Sequence, residues 1–360
     1  MKFSVIGAGS GGRAFCAYIS SKGFDVTLYN RSRQRIKEIE KKRGVNAKGE
    51  LTGFFKIQKT TQDIKNAIRG ADIILVVTPA SAHRDIAKLI APHLCSNQII
   101  LLNPGRTFGA VEFKREIENK IGKIPLLIAE TQTLLFTARE FEGNGVHIIK
   151  IKNSVDFSAY PEKITSDIYG KIKDVFPQLN PVENYLETTL YNIGMLLHPT
   201  ISLLNAGTID IGKPIKFYTE GASYHVSKVL EKIESEIQQI FNIFGLKDYN
   251  FVKWVEKSYG TSENTIFDSI QNIEPYKEIL APKELITRYF SEDVPMGLVP
   301  ISSLGKFLGI NTPTIDSIIH LSSVLCEIDF NLHGRTIEKL KLEKYLRKKV
   351  NTLQIIDLMQ

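Results

Sequence analysis

Three glycines near the start of the chain have the spacing G-x-G-x-x-G and follow an apolar run. In this pattern Gly7 permits a tight turn, Gly9 lets a pyrophosphate approach the backbone, and Gly12 lets the next helix pack on the strand. The N-terminus of that helix would face the phosphates. Because the loop directly follows a predicted strand, the pattern favours a dinucleotide-binding loop over a turn without a ligand. The predicted contacts are Gly7, Gly9, Ser10, Gly11 and Gly12.

The end of the second predicted strand bears on the choice of dinucleotide. Sites for NAD usually place an Asp or Glu there to bind the ribose hydroxyls, and this chain has neither. Asn30 can still bind a ribose hydroxyl, whereas Arg31, Ser32 and Arg33 can bind a 2′-phosphate through charge-assisted hydrogen bonds. A solvated basic helix start is the alternative. The residues favour NADP as the cofactor and leave NAD open.

Turn residues follow two further predicted strands. Thr78 and Pro79 end one of them, and Asn103 and Gly105 end another. Open α/β sheets bind ligands at the carboxyl ends of their strands. We therefore expect these four residues to contact the cofactor. The alternative is that these turns only connect secondary-structure elements.

Among the histidines, His198 has the most unusual surroundings. It lies in an apolar helical stretch, residues 192–200, and is followed by Pro199, which would interrupt the helix and leave backbone carbonyls free in a cleft. Histidine is the natural acid or base at neutral pH for the reduction of a C=O or C=N bond. From these residues alone, the better-supported alternative is a buried histidine whose hydrogen bonds are made within the core and which has no catalytic role.

A second segment, residues 288–297, combines charge with turn residues. Asp293 can orient a histidine and stabilise its imidazolium form. Arg288 can bind a carboxylate through two parallel hydrogen bonds. A surface loop without a chemical role is equally compatible with this composition.

The elements that would position these residues differ between the two halves of the chain. In the first half, unbroken apolar runs alternate with amphipathic stretches, as expected for strands buried on both faces of a parallel sheet. The second half is dominated by helical periodicity. The pattern predicts an α/β fold, with a Rossmann-type doubly wound parallel sheet in residues 1–179 and an all-helical substrate domain in residues 180–360. The predicted strands are residues 3–6, 26–29, 73–77, 99–102, 126–129 and 146–151, and the longest predicted helical segments are 181–204, 222–244 and 313–328.

Composition narrows the class of partner. The net charge of +7 and the pI near 9.0 fit phosphates and carboxylates, whereas the basic residues are scattered and form no nucleic-acid motif. The cysteines lie far apart without a CxxC pair, which argues against a disulfide framework and a standard zinc site. No apolar run approaches the roughly 20 residues that cross a bilayer. We therefore expect a cytoplasmic protein that binds small molecules, and no metal, nucleic acid or membrane.

Residues 192–200 and 292–300, taken together, resemble the paired signatures of the octopine/nopaline (opine) dehydrogenase family. Further stretches that agree are 7–12, 103–105, 130–131, 217–221 and 334–336. The resemblance implies an NAD(P)H-dependent reductive condensation, in which an amino acid and a 2-oxo acid, often pyruvate, form an imine that is reduced at a CH–NH group. It also implies that His198 is the catalytic acid/base, that Asp293 is its partner, and that Arg288 binds a substrate carboxylate. A homodimer is one oligomeric state compatible with this interpretation.

Two rival functions are considered beside this one. A 2-hydroxyacid or glycerol-3-phosphate dehydrogenase of the same architecture would carry a catalytic lysine, but residues 187–205 contain none. A non-catalytic NADPH-sensing protein would have no reason to retain His198, Asp293 and Arg288 together. One departure from the family pattern affects the cofactor: Asn30 stands where many NAD-using relatives have an acidic residue, so the cofactor does not follow from the resemblance.

Overall fold

Unbroken apolar runs in the N-terminal half form the strands of a large twisted sheet. The structure, a computed structural model, describes residues 1–246, 249–261 and 263–357, and side chains as far as residue 350. The chain divides into two units, Met1–Thr189 and Leu190–Gln360. The boundary between a cofactor domain and a substrate domain at residues 179 and 180 stays a prediction from the sequence. The strands of the first unit are β1 (Lys2–Ile6), β2 (Asp25–Tyr29), β3 (Gly44–Gly49), β4 (Gly53–Lys56), β5 (Lys59–Thr61), β6 (Ile73–Val76), β7 (Ile99–Leu102), β8 (Leu127–Thr131), β9 (Phe136–Phe141), β10 (Gly145–Ile151), β11 (Val155–Ala159) and β12 (Leu179–Pro181).

The main sheet has the strand order β12-β11-β8-β7-β6-β1-β2-β5 and is parallel except where β11 pairs antiparallel with β8. β1 pairs with β2 on one side and with β6 on the other, so the winding direction reverses between β1 and β6. Such a switch point leaves a crevice beyond the carboxyl ends of the strands, where ligands bind. The prediction of a Rossmann-type doubly wound parallel sheet is confirmed.

A smaller sheet, of order β4-β3-β10-β9, was not predicted. The sequence assigns residues 146–151 to the parallel sheet, but β10 instead pairs antiparallel with β9 and parallel with β3. Along β10, the buried Val146 and Ile148 flank the half-exposed His147, as in a sheet that is covered on one face. Hydrophobicity marks a strand but does not say which strand it will join.

The helices of the first unit cover the main sheet and complete its core. In that core, Phe15 packs edge to face against Phe136 with ring centres 4.8 Å apart, and Phe3 packs against Phe176 at 6.0 Å. The helices are α1 (Ser10–Ser21), α2 (Arg33–Lys42), α3 (Ile64–Ile68), α4 (His83–Ile90), α5 (Gly109–Ile121), α6 (Thr165–Ile172) and, at the boundary, α7 (Tyr185–Leu190).

The described part of the second unit is helical, which confirms the prediction of a helical C-terminal domain. No helix in the described ranges is long and apolar enough to cross a membrane. The helices are α8 (Ile193–Leu204), α9 (Ala206–Asp210), α10 (Tyr224–Ile243), α11 (Phe251–Tyr259), α12 (Ile266–Asn272), α13 (Arg288–Ser291), α14 (Val299–Leu308), α15 (Pro313–Cys326), α16 (Phe330–His333), α17 (Ile337–Leu340) and α18 (Glu343–Asp357).

The segment 181–204, predicted as continuous helical periodicity, begins at the last residue of β12 and then contains two helices, α7 and α8. The break falls at Asn192, whose carboxamide oxygen accepts the Gly194 N–H at 3.1 Å and so begins α8. The expectation that Pro199 interrupts the helix is wrong, because α8 continues through Pro199 to Leu204. Proline lacks the N–H that would bond one turn back, and α8 tolerates the loss of that one bond.

Candidate active site

The predicted dinucleotide loop joins β1 to α1 at the carboxyl edge of the main sheet. Gly7 has a φ of +113°, and a Cβ there would lie 2.6 Å from the Val77 carbonyl oxygen. A Cβ at Gly12 would overlap the Gly7 carbonyl oxygen, so glycine is required for the close approach of helix and loop. At Gly9, by contrast, a Cβ would meet no described residue within 4 Å. This open space at the N-terminus of α1 fits the pyrophosphate of a dinucleotide.

The other loop residues lie against this cradle. The Ser10 hydroxyl accepts a backbone N–H of β9 at 3.0 Å, and a Cβ at Gly11 would lie 3.0 Å from a Val77 methyl group. Thr78 reaches the same place, since its Cγ2 would be 3.2 Å from a Cβ at Gly7, and Pro79 next to it is exposed. The structure therefore brings the loop after β6 to the glycine loop, as the switch-point topology requires.

Asn30, which follows β2, connects the second strand to the glycine loop. Its carboxamide oxygen accepts the Ala8 N–H at 3.1 Å, and its amide group donates to the Ser32 carbonyl at 3.1 Å. The residue thus fixes the backbone on both sides of the position where an NAD site usually has a carboxylate.

Arg31, Ser32 and Arg33 are exposed beside Asn30. Within the described ranges, neither Arg31 nor Arg33 forms an ion pair with a carboxylate, whereas Arg35 pairs with Glu140 at 3.2 Å. Two exposed guanidinium groups at the end of β2 are compatible with a 2′-phosphate.

Asn103 and Gly105, also predicted to contact the cofactor, are buried. The Asn103 carboxamide oxygen accepts the Leu135 N–H at 3.2 Å, and the Glu130 carboxylate packs where a side chain on Gly105 would stand. Both residues are engaged within the protein, and their contact with the cofactor stays a prediction.

Arg13, in the first turns of α1, is a residue that sequence reasoning missed. Its guanidinium is buried and donates to the Ala8 carbonyl at 3.2 Å and to the Gly143 and Gly145 carbonyls at 3.1 Å each. Burial lowers the pKa of Arg13, and the nearby Glu140 carboxylate opposes that shift. These bonds tie the glycine loop to the smaller sheet. The sequence did contain a clue to the role of Arg13: it is a cationic residue directly after the glycine pattern, in a helix that must pack against the sheet.

His198 and Asp293, which lie 95 positions apart in the sequence, are hydrogen-bonded in the second unit. His198 is in α8, and Asp293 directly precedes a π-helical turn, Val294–Leu298. The distance from Nδ1 to Oδ2 is 2.7 Å, and the two side chains are 12% and 0% exposed. The carboxylate accepts the Nδ1–H, which leaves Nε2 as the ring nitrogen that exchanges a proton, and it stabilises the imidazolium form.

Two tyrosines complete the surroundings of the imidazole, and sequence reasoning missed both. The Tyr218 hydroxyl lies 3.1 Å from His198 Nε2. The Tyr289 ring stacks on the imidazole with centroids 4.3 Å apart and planes 20° apart. Both tyrosines belong to stretches that support the family resemblance, but no local pattern indicates which hydroxyl or ring will face a residue 20 or 91 positions away.

Arg288 lies at the rim of this cluster. It is the first residue of α13, its side chain is 49% exposed, and its guanidinium carbon is 5.6 Å from the centre of the Tyr289 ring. The Glu292 carboxylate is 3.6 Å from the guanidinium. The structure thus brings Arg288, Asp293 and His198 together around Tyr289, and their chemical roles stay predictions.

Two known protein families match parts of this chain. Residues 181–326 match the family described as NAD/NADP octopine/nopaline dehydrogenase, alpha-helical domain, and residues 2–107 match NAD-dependent glycerol-3-phosphate dehydrogenase N-terminus. An opine dehydrogenase from Arthrobacter sp. (strain 1C) is 40% identical over 341 residues, which cover 94% of this chain and 95% of that protein. The chain belongs to the opine dehydrogenase family. It is an NAD(P)-dependent oxidoreductase.

Solved structures show the opine dehydrogenase fold in this chain at low sequence identity. Octopine dehydrogenase in complex with NADH and agmatine superposes with a TM-score of 0.77 at 19% identity and covers 95% of this chain and 96% of its own. Yersinopine dehydrogenase with NADP+ bound gives 0.74 at 13% identity, with 98% and 99% covered.

The family matches argue against the two rival functions, a glycerol-3-phosphate or 2-hydroxyacid dehydrogenase and a non-catalytic sensing protein. The match to the octopine/nopaline family spans His198, Arg288 and Asp293, whereas the match to the glycerol-3-phosphate dehydrogenase type ends at residue 107. Membership of the opine dehydrogenase family, and the intact hydrogen-bonded pair, also set aside a non-catalytic sensing protein.

Proposed function

We propose that this opine dehydrogenase joins an amino acid to a 2-oxo acid, with pyruvate as the first candidate, by reducing the imine that the two form. The proposal rests on the 2.7 Å bond between His198 Nδ1 and Asp293 Oδ2, in a chain 40% identical to an opine dehydrogenase. NAD(P)H supplies the hydride when bound, and the glycine loop fits its pyrophosphate.

The chain's own residues supply proton transfer and orientation. Condensation expels the oxo group as water, so a proton must reach that oxygen, and the substrate ammonium must lose a proton before its nitrogen can attack. An imidazolium at His198 donates the first and a neutral imidazole accepts the second, in both cases at Nε2. Asp293 keeps the ring in the required tautomer, and Arg288 binds a substrate carboxylate through parallel hydrogen bonds.

A cofactor oxidation screen with the purified protein tests this proposal. NADPH and NADH are each combined with pyruvate and with single amino acids. We expect turnover when pyruvate and an amino acid are both present. His198→Asn should lower kcat at least 100-fold in a protein that is still folded, whereas His225→Asn, at an exposed histidine of α10, should not change kcat. Reduction of pyruvate at the same rate without any amine would refute the proposal.

We also propose that NADP is the preferred cofactor, because Arg31 and Arg33 are exposed at the end of β2 and Asn30 stands in place of a carboxylate. Each guanidinium–phosphate contact should contribute roughly tenfold to the affinity for NADPH. Arg31→Ala and Arg33→Ala should therefore each raise the KM for NADPH about tenfold and leave the KM for NADH unchanged. Arg35→Ala is the matched control, since Arg35 already pairs with Glu140. A wild-type preference for NADH would contradict this assignment.

A further inference from the structure

We propose that Tyr218 is a positioning residue for His198. In the substrate-free enzyme the Tyr218 hydroxyl bonds Nε2 in both protonation states and so sets the pH at which the imidazole gains and loses its proton. The part of the proposal that concerns turnover rests on the proposed function, because it takes His198 as the acid/base. The part that concerns the titration of His198 does not.

The position of the Tyr218 hydroxyl is fixed by its surroundings. The side chain is 5% exposed. Its ring stacks on Tyr276 with centroids 3.9 Å apart and planes 13° apart, and it packs edge to face on Phe217 at 5.0 Å. Its carbonyl oxygen accepts the Ala222 N–H at 2.9 Å, which anchors the backbone. These contacts hold the Tyr218 hydroxyl beside Nε2 when no substrate is bound.

A hydroxyl suits both states of the ring because it donates and accepts. When His198 is neutral with its proton on Nδ1, the Tyr218 O–H donates to the Nε2 lone pair at the observed 3.1 Å. When His198 is an imidazolium, Nε2–H donates to the Tyr218 oxygen. The second bond is charge-assisted and about twice as strong as the first. The net effect of Tyr218 is therefore to favour the protonated ring.

Other charged or titratable groups also surround the imidazole, and a change at Tyr218 leaves them in place. They are Asp293 on Nδ1, Tyr289 on the ring face, Arg288 and Glu292 beside Tyr289, and Tyr276 and Tyr259 behind Tyr218. The helices α10 and α15 also pack on α8. Among the described contacts of these two helices, Glu236 bonds the first N–H groups of α15 and Asp316 bonds Ser302. A shift on removal of the Tyr218 hydroxyl is thus attributable to that hydroxyl.

Tyr218→Phe keeps the ring, and so the stack on Tyr276, but removes the oxygen. Because the imidazolium loses the stronger bond, the titration midpoint of His198 should move to lower pH by about 0.7 unit. If the imidazolium is the acid in reductive condensation, the high-pH limb of the kcat/KM profile, which reports the substrate-free enzyme, should move in the same direction by the same amount.

The deciding experiment is a pH titration of the histidine rings by NMR on the full chain, with the His198 signals assigned by their loss in His198→Asn. We expect the midpoint of His198 to fall in Tyr218→Phe and to stay unchanged in Tyr191→Phe. That control removes another buried tyrosine hydroxyl, 2.7 Å from Glu234. A midpoint within 0.2 unit of wild type, roughly the precision of such a titration, in Tyr218→Phe would overturn the proposal, even if the condensation activity is as proposed.

The wild-type spectrum gives a second test that requires no variant. Neutral His198 should be protonated on Nδ1, with the Nε2 nitrogen shift of an acceptor rather than of a free lone pair. A neutral ring protonated on Nε2 would overturn the proposal. Absence of turnover with every amine would refute the proposed function and leave this titration to decide the role of Tyr218.

Discussion

Replacing Asp293 by Asn tests the proposed catalytic pair of His198 and Asp293 with the smallest change in shape. Asp293 is fully buried, and its Oδ2 lies 2.7 Å from His198 Nδ1. If the carboxamide oxygen faces Nδ1, the tautomer is kept, but a charge-assisted bond becomes a neutral one, a loss of about 1.4 kcal/mol or tenfold in kcat. If the amide N–H₂ group faces Nδ1 instead, the ring must carry its proton on Nε2. The same tautomer error in a serine protease triad lowers kcat about 10⁴-fold.

The expected loss for Asp293→Asn is therefore between about tenfold and 10⁴-fold in kcat, with little change in the KM for the oxo acid. Steady-state oxidation of NADPH with saturating pyruvate and amino acid measures it. Asp316→Asn is the matched control, since it makes the same change in a carboxylate that bonds Ser302 at 2.5 Å. A loss smaller than about threefold in a folded Asp293→Asn protein would show that the pair does not act as a catalytic unit, because even the milder orientation predicts more than that.

Three further predictions concern the frame around these sites. Gly9→Ala should leave the stability of the protein unchanged and weaken dinucleotide binding, measured by fluorescence titration. In Gly12→Ala the new methyl group would overlap the Gly7 carbonyl, so the free energy of unfolding should fall by about 1–3 kcal/mol. Equal stabilities of the two variants would contradict this. Burial, and then the charge of Arg106, lowers the pKa of Lys152 from 10.5 to about 7. The unfolded chain keeps the Lys152 proton to higher pH than the folded protein does. The free energy of unfolding of wild type, measured with urea, should therefore rise relative to that of Lys152→Met between pH 7 and 10.5, by up to about 1.4 kcal/mol per pH unit. Parallel pH profiles for the two proteins would refute this prediction. Glu236→Gln should cost about 1–2 kcal/mol, because the buried carboxylate accepts two N–H groups at 3.0 Å at the start of α15, and an unchanged urea midpoint would exclude that role.

The main sheet was predictable because its strands are buried on both faces. β6 and β7 are fully buried along their length, so each appears in the sequence as an unbroken run of Ile, Leu and Val. The smaller sheet was not predictable in this way. β3 and β4 contain glycine and lysine and are partly exposed, and β3 pairs with β10, whose residues are 99 positions away in the sequence.

The glycine loop and the cluster around His198 differ in the same respect. Gly7, Gly9 and Gly12 act through the backbone that they themselves form, so their spacing is enough to predict the cradle. From the residues next to it, His198 is better interpreted as a core histidine, because the partners that suggest otherwise are 20 and 95 positions distant. The family resemblance joined His198 to Asp293, but it gave no role to Tyr218. Only packing shows that the Tyr218 hydroxyl reaches Nε2.

The burial of Asp293 is itself an argument for a chemical role. Removing a carboxylate from water costs several kcal/mol, and replacing a buried ion pair by apolar residues of similar volume is often neutral or stabilising. Around the pair, the chain has the residues for such an apolar core, since Phe217, Tyr289 and Phe290 are all buried. A pair placed there for stability alone would be a poor choice. Proton transfer, by contrast, requires a histidine with a fixed tautomer and a stabilised charge, which a fully buried carboxylate at 2.7 Å supplies.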